Sequence, residues 1–245
     1  MKILVLTSTY SRWQDDTEPR FVDNLCQYLS RDNTVHVLAP HAPGSQVEEE
    51  LDNIRVFRFR YCLQRFESLA YGGGILPNLR EKPLRLLLVP LFFAAQWLAI
   101  IRLCRKQRYD IIHAHWIIPQ GLSAVLARPM APGRPPLVLT SHGGDLFALK
   151  GALLASVKKY VTRGCDALTV VSSAMKDKAV ELQLKAGDLV HTIPMGVDSH
   201  ASFAPSAQNT NSCDILFVGR LVDKKGIEYL LQAMPAVLAD QPGAR

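Results

Sequence analysis

Apolar runs rich in Val and Ile recur along the chain at Lys2 to Ser8, Thr34 to Ala39, Ile54 to Arg60, Asp110 to His115, Pro136 to Ser141, Ala167 to Ser172 and Val190 to Met195. Several are continuous rather than alternating, the pattern of strands covered on both faces, and helical periods fall between most of them. The expected fold class is α/β, a Rossmann-like, mostly parallel sheet with helices on both faces. Pro19 suits the first position of a helix whose apolar stripe is Phe21, Val22, Leu25, Tyr28 and Leu29. Further helices fit Gly121 to Arg128, Leu153 to Arg163 and Ser173 to Leu184. Ser199 to Ser212 has the Ser, Ala, Asn and Thr content of a linker. From Asp214 the pattern restarts: Ile215-Leu216-Phe217-Val218 runs into Gly219-Arg220, and Lys225-Gly226 opens an amphipathic stretch, reading as strand, turn and helix. The expected division is a first domain over 1–198, a linker over 199–213, and the first strand and helix of an incomplete second Rossmann-like domain over 214–245.

One segment resists a simple reading. Leu86 to Ile101 is apolar apart from Gln96, contains Pro90, and is flanked by Lys82, Arg85, Arg102, Arg105, Lys106 and Arg108. A transmembrane helix needs about 20 apolar residues, so the stretch is expected to be too short to span comfortably. It fits a crossover helix under the sheet, or a helix whose apolar face and basic ends meet an anionic membrane surface.

Composition narrows the function classes. With 245 residues, 48% hydrophobic and 20% charged, the chain reads as one or two globular domains. Its five cysteines lack Cys-x-x-Cys spacing, which argues against a disulfide framework or a zinc site and for a reducing cytoplasm. Met1-Lys2 leads directly into the first strand without a signal-peptide pattern. The net charge of +6 suits an anionic partner. The basic residues are dispersed, however, and no zinc-finger or RNP-like motif accompanies them, so nucleic acid is not the expected partner. No Gly-x-Gly-x-x-Gly follows the first strand, and neither a P-loop nor Gly-x-Ser-x-Gly occurs, which leaves dinucleotide, P-loop and serine-hydrolase chemistry without support.

In an open parallel sheet, ligands bind outside the carboxyl ends of the strands, and polar clusters fall at four predicted ends. They are His113-Ala114-His115-Trp116, Thr140-Ser141-His142-Gly143-Gly144-Asp145, Ser172-Ser173 and Pro194-Met195-Gly196-Val197-Asp198. If the strand continues, His113 and His115 share one face and Ala114 and Trp116 the other. As a metal pair the histidines lack a third ligand in sequence. His142 precedes two glycines, which let backbone approach a ligand closely. Asp145 is a candidate for the cleft, with helix capping as its alternative. Arg220 and Lys225 flank a turn at a helix start, where cations and the helix dipole favour a diphosphate.

In order and at strand ends, these motifs resemble retaining glycosyltransferases of family 4, whose two facing Rossmann-like domains make the GT-B fold. The resemblance implies an N-terminal domain that holds the acceptor and a C-terminal domain that holds a sugar nucleotide. It implies that Arg220 and Lys225 bind the donor diphosphate and that His142 acts near the reacting sugar by hydrogen bonding. His115, Gly143, Gly144 and Asp145 then line the acceptor side or the cleft. It also implies metal-independent chemistry with no cofactor beyond the sugar nucleotide; consistently, no Asp-x-Asp occurs. Thr9 to Arg20 holds no glycine, so backbone N-H groups near Arg12 are the remaining candidates for a phosphate contact there. The expected function is transfer of a sugar to a glycan or lipid-linked acceptor in cell-surface polysaccharide synthesis, in the cytoplasm or on the inner face of the membrane. The 245 residues alone are expected not to complete it, because the family's paired donor-site glutamates have no counterpart in them. The competing readings are a non-catalytic glycolipid- or sugar-binding module and a GT-B sugar-nucleotide epimerase.

Overall fold

Apolar residues buried on both faces set the sheet, leucines mostly on one side and Val and Ile on the other. In β1 (Lys2–Leu6), Leu4 and Leu6 face one side and Ile3 and Val5 the other, and all four are buried. The second set packs with Val35, Val37 and Ala39 of β2 (Thr34–Pro40) and with Val22 and Cys26 of α1 (Phe21–Leu29). The first set packs with Ile112 and Ala114 of β5 (Ile111–His115), and with Phe92, Ile100 and Cys104 of α3 (Leu88–Lys106). A core therefore lies on each face. The computed structural model describes residues 1–197, 215–219, 221 and 225–244.

The chain divides into two units, Met1–Gly196 and Val197–Arg245. Unit 1 holds an eight-stranded sheet of order β3-β4-β2-β1-β5-β6-β7-β8. The remaining members are β3 (Glu48–Leu51), β4 (Ile54–Phe59), β6 (Leu137–Ser141), β7 (Ala167–Val170) and β8 (Val190–Thr192). Every pairing is parallel except β3 with β4. From β1 the chain moves outward to β2 and later returns to lay β5 on the other side. The crevice between the carboxyl ends of β1 and β5 is thus a topological switch point.

The helices α2 (Ile75–Glu81), α4 (Leu122–Ala127), α5 (Ala152–Gly164) and α6 (Ser173–Glu181) complete unit 1. α1 starts two residues beyond Pro19, because the carbonyl of Arg20 accepts the first helical bond from Asn24 and Arg20 itself is not helical. Its stripe is shifted as well: Tyr28 is exposed, whereas Asp23 is buried, accepting the backbone N-H and the hydroxyl of Ser11. β3 was not expected from its Glu-Glu-Glu-Leu sequence. It pairs as a hairpin through Asp52-Asn53, both at positive φ (50° and 63°), the geometry of a tight two-residue turn. Arg55 bonds to Glu48, and the buried Arg58 bonds to Glu49 at 2.8 Å, which fastens that edge to β4.

α3 is a crossover helix only in part. Phe92, Gln96, Ile100, Ile101, Leu103 and Cys104 are buried, but Leu84, Leu86, Leu87, Leu91 and Leu98 are exposed. With the tight turn of Pro83–Leu87 before it, the helical stretch runs 24 residues from Pro83 to Lys106, long and apolar enough to cross a membrane. The expectation that it was too short is therefore corrected, since the sequence reading counted only the unbroken apolar run.

In unit 2, residues 215–218 are in no strand, contrary to expectation; a strand exists only through a pairing partner, and the described residues of this unit hold none. α7 (Ile227–Asp240) follows Gly226, which takes a left-handed conformation at φ 68°. Its Tyr229, Leu231 and Leu238 are exposed. Arg220, Asp198 and the expected linker over 199–213 lie outside the described residues.

Gly121, at the start of α4, permits the close packing beneath the switch point. A Cβ there would lie 2.8 Å from Leu139 Cδ1, 2.9 Å from Val161 Cγ1 and 3.2 Å from the Trp116 carbonyl. Leu139 and Val161 are fully buried and have no room to swing aside. Gly121→Ala should destabilise the fold by about 1–3 kcal/mol, measurable as a lowered urea midpoint at unchanged slope. An unchanged midpoint would show that this packing is looser than the distances imply.

Candidate active site

Two strand ends build the site. β5 ends at His115, where Trp116 takes φ 72° while donating its N-H to the Thr140 carbonyl at 2.7 Å. This turn brings Trp116 round to the His142 side rather than onto the opposite face, as a continued strand would have done. β6 ends at Ser141, and His142 follows with Gly143 at φ 95°. There a residue with a side chain would be strained whatever the space around it. Gly144 is exposed, and a Cβ on it would meet nothing within 4 Å, so the backbone here borders open space.

The loops are locked by Asp145. Its carboxylate accepts the Ile117 backbone N-H at 2.6 Å and the Ser141 hydroxyl at 2.8 Å. Asp145 is buried and turned into the protein, so it ties the two strand ends together rather than facing the cleft. Burial raises its pKa, against the opposing pull of those two hydrogen bonds. Gln120, with its amide nitrogen toward the His115 carbonyl (3.1 Å) and its oxygen toward the Ser8 N-H (2.9 Å), joins the β1 and β5 ends.

On this frame lies a row of rings. His113 and His115 share a face with centroids 4.3 Å apart, and His113 Nε2 meets the Thr140 hydroxyl at 2.8 Å. His115 Nδ1 meets His142 Nε2 at 2.9 Å with nearly parallel rings. Trp116 and Phe21 stand 4.9 and 5.0 Å from the half-buried His142 and 6.0 Å from each other. His115 is fully buried behind His142. Burial holds His113 and His142 down to about 4 from an ordinary 6.5, and His115 well below 6.5, so the row is neutral at pH 7. Among the described residues, no group of three His, Cys, Asp or Glu side chains could hold a metal ion.

The sequence singled out His115, His142, Gly143, Gly144 and Asp145, and the structure brings all five together. Trp116 would lie on the opposite face only if the strand continued, and Phe21, expected in the apolar stripe of α1, packs partly on the core while also meeting His142; strand periodicity does not reveal a positive φ, or a helix that opens at the rim. Ser172 caps α6, accepting the Met175 N-H at 3.3 Å, and residues 193–197 are irregular, so neither adds a side chain to the row. The backbone N-H of Arg12 is taken by Asp16 at 2.8 Å and that of Ser11 by Asp23 at 3.1 Å. The glycine-free loop therefore does not offer those two donors to a phosphate. Lys225 is exposed beside Gly226 at the start of α7.

The sequence profile of the family described as Glycosyltransferase Family 4 matches residues 19–201. The chain belongs to glycosyltransferase family 4. Similar proteins include the glycogen synthase of Mycobacterium tuberculosis, 28% identical over 144 residues, and an uncharacterized glycosyltransferase of Methanocaldococcus jannaschii, 32% identical over 127. The first match covers 57% of this chain and 35% of that protein, and the second 51% and 33%. The chain thus spans about a third of the length of these relatives. Among solved structures, Anabaena Alr3699/HepE in complex with UDP and glucose superposes with a TM-score of 0.60 at 17% identity, covering 96% of this chain and 57% of that one. That likeness shows a shared fold. In this glycosyltransferase family 4 chain, the histidine row lies where the ends of β5 and β6 meet.

The row makes stability depend on pH. The folded-state pKa of His113 and His142 is about 4 against 6.5, and His36 is likewise lowered to about 4 by burial. Between those values the unfolded chain binds protons that the fold excludes, so stability is greatest above 6.5 and declines as pH falls toward 4. The unfolding midpoint should drop between about pH 7.5 and about pH 5, less steeply in His113→Gln, which removes one excluded proton. A flat profile in the parent protein would contradict the neutral row.

Proposed function

We propose that this chain supplies the acceptor side of a retaining glycosyltransferase that moves a sugar from a sugar nucleotide to a glycan or lipid-linked acceptor in cell-surface polysaccharide synthesis. The observation that carries the proposal is the neutral, half-exposed His142 between Trp116 and Phe21 at the switch point, beside the open backbone of Gly144. A neutral imidazole can hydrogen-bond a sugar hydroxyl or an oxygen gaining charge in the transition state, and the aromatic edges shield that bond from water. The UDP and glucose in the Anabaena structure favour a sugar nucleotide as donor. Arg220 and Lys225 are the proposed diphosphate ligands, the second by its place at the start of α7.

In the full-length protein, supplied with a panel of sugar nucleotides and lipid-linked acceptors, His142→Ala should lower kcat by about 10²-fold or more and change donor affinity less. Because the active imidazole is neutral and its pKa is lowered to about 4, the acid limb of kcat/KM should lie well below the ordinary 6.5. An unchanged kcat would remove His142 from the chemistry.

The same reading includes docking on the inner face of a membrane, which fits a lipid-linked acceptor. Leu84, Leu86, Leu87 and Leu91 form an exposed apolar ridge, with the exposed Arg80 and Lys82 beside it. The protein should float with anionic vesicles at low salt and progressively less as salt screens the basic residues over about 10 Å at 0.1 M. Leu87→Glu should reduce flotation. Retention of the wild-type behaviour by that variant would place the contact elsewhere.

A further inference from the structure

His115 lies where no ligand reaches, fully buried, with Nδ1 on His142 Nε2 at 2.9 Å and Nε2 without a hydrogen-bond partner. Both rings are neutral, so each carries one ring proton, and a single proton must sit between the two facing nitrogens. Suppose His142 supplied it from Nε2. His115 would then accept at Nδ1, and its own proton would be forced onto Nε2, a buried N-H facing no acceptor. Orphaned buried N-H groups are rare because desolvation is not repaid. In the opposite arrangement His115 donates from Nδ1 and its bare Nε2 is an unmet acceptor, the milder defect. His142 then accepts at Nε2 and must carry its proton on Nδ1, which makes no hydrogen bond among the described residues.

We infer that His115 is a positioning residue that fixes His142 in the Nδ1-H tautomer, so that the site presents a hydrogen-bond donor, not a base, to a sugar hydroxyl or to an oxygen gaining negative charge. The hydrogen bond at one imidazole nitrogen decides what the other can do. With Nδ1 protonated, His142 has no lone pair for proton abstraction at that edge, while the bond from His115 polarises it as a donor. The inference rests on the proposed transfer reaction for its purpose, but the tautomer itself does not depend on that reaction.

The test reads the tautomer directly. The protein, labelled with ¹⁵N-histidine, carries seven histidines, few enough to resolve in a long-range ¹H–¹⁵N correlation, with His142 and His115 identified by the signals lost on substituting each. Both should show a protonated Nδ1 and a bare Nε2; a protonated Nε2 on His142 overturns the inference. His115→Phe removes the donor, and should let His142 populate the Nε2-H form and lower kcat about tenfold with KM little changed. His115→Asn places an amide N-H near the lost Nδ1-H and should restore both the tautomer and most of kcat. A folded His115→Phe protein whose His142 keeps the Nδ1-H form would also overturn it. If that variant fails to fold, the parent spectrum still decides. Absence of any sugar transfer by the full-length protein, in which kcat is measured, would instead sink the proposed function and leave the tautomer reading intact.

Discussion

The buried carboxylate of Asp145 is the tie on which the rest of the site depends. It comes from the loop after β6 and accepts both the first free N-H after the β5 turn, at Ile117, and the hydroxyl of Ser141 at the end of β6. Without it a buried backbone donor would be stranded, at a cost of about 1–3 kcal/mol, and the two strand ends would no longer be held to each other. With it, Trp116 is kept at its positive φ and the loop leaves β6 through Gly143, so His115 and His142 meet edge to edge. The placement of the rings thus follows from one acceptor buried between two loops, an arrangement that neither loop could maintain alone.

Burial then decides what those rings can do. Three imidazoles this close would repel if charged, and desolvation already disfavours the cation, so the row stays neutral through the physiological range. Under the proposed function, neutrality suits a site that would receive an anionic donor. A charged histidine would attract the donor phosphates towards the acceptor side, whereas a neutral one would contribute a directional hydrogen bond and leave diphosphate binding to the cations proposed for it. Thr140 and Thr169 extend the polar ladder at 2.6 Å, taking up the His113 nitrogen that would otherwise be unmet.

The parallel sheet was legible because continuous Val and Ile runs separated by helical periods have few alternative folds, and seven of the eight strands were expected near their observed places. β3 escaped because its acidic residues lack strand propensity; pairing to Arg55 and Arg58 holds it there, and the Asp52-Asn53 turn was the available clue. The site's histidines and glycines were legible by their place at strand ends. The inward turn of Asp145 was not, since hydrogen-bond partners so far apart in sequence as Ile117 leave no local pattern. Nor was the use of Asp16 and Asp23 to occupy the Arg12 and Ser11 N-H groups, which removes those two donors from the first loop.

Topology also relates the site to the exposed ridge. β4 runs parallel to the strands that carry the histidines, so the segment leaving its carboxyl end emerges on their rim; it includes the tight turn of Pro83–Leu87 and the start of α3. α3 then descends the sheet, burying Phe92, Ile100 and Cys104, and delivers the chain to the opposite end, where β5 begins. The stretch therefore changes character along its length: Leu84, Leu86 and Leu87 of the tight turn and Leu91 of the first helical turn are exposed, whereas Phe92, Gln96, Ile100 and Cys104 are buried. The exposure of those leucines at the histidine-bearing rim is the feature a soluble sugar acceptor would not require. A lipid-linked acceptor held at a membrane surface would place its headgroup beside that same rim, which is why the ridge and the proposed acceptor class are read together.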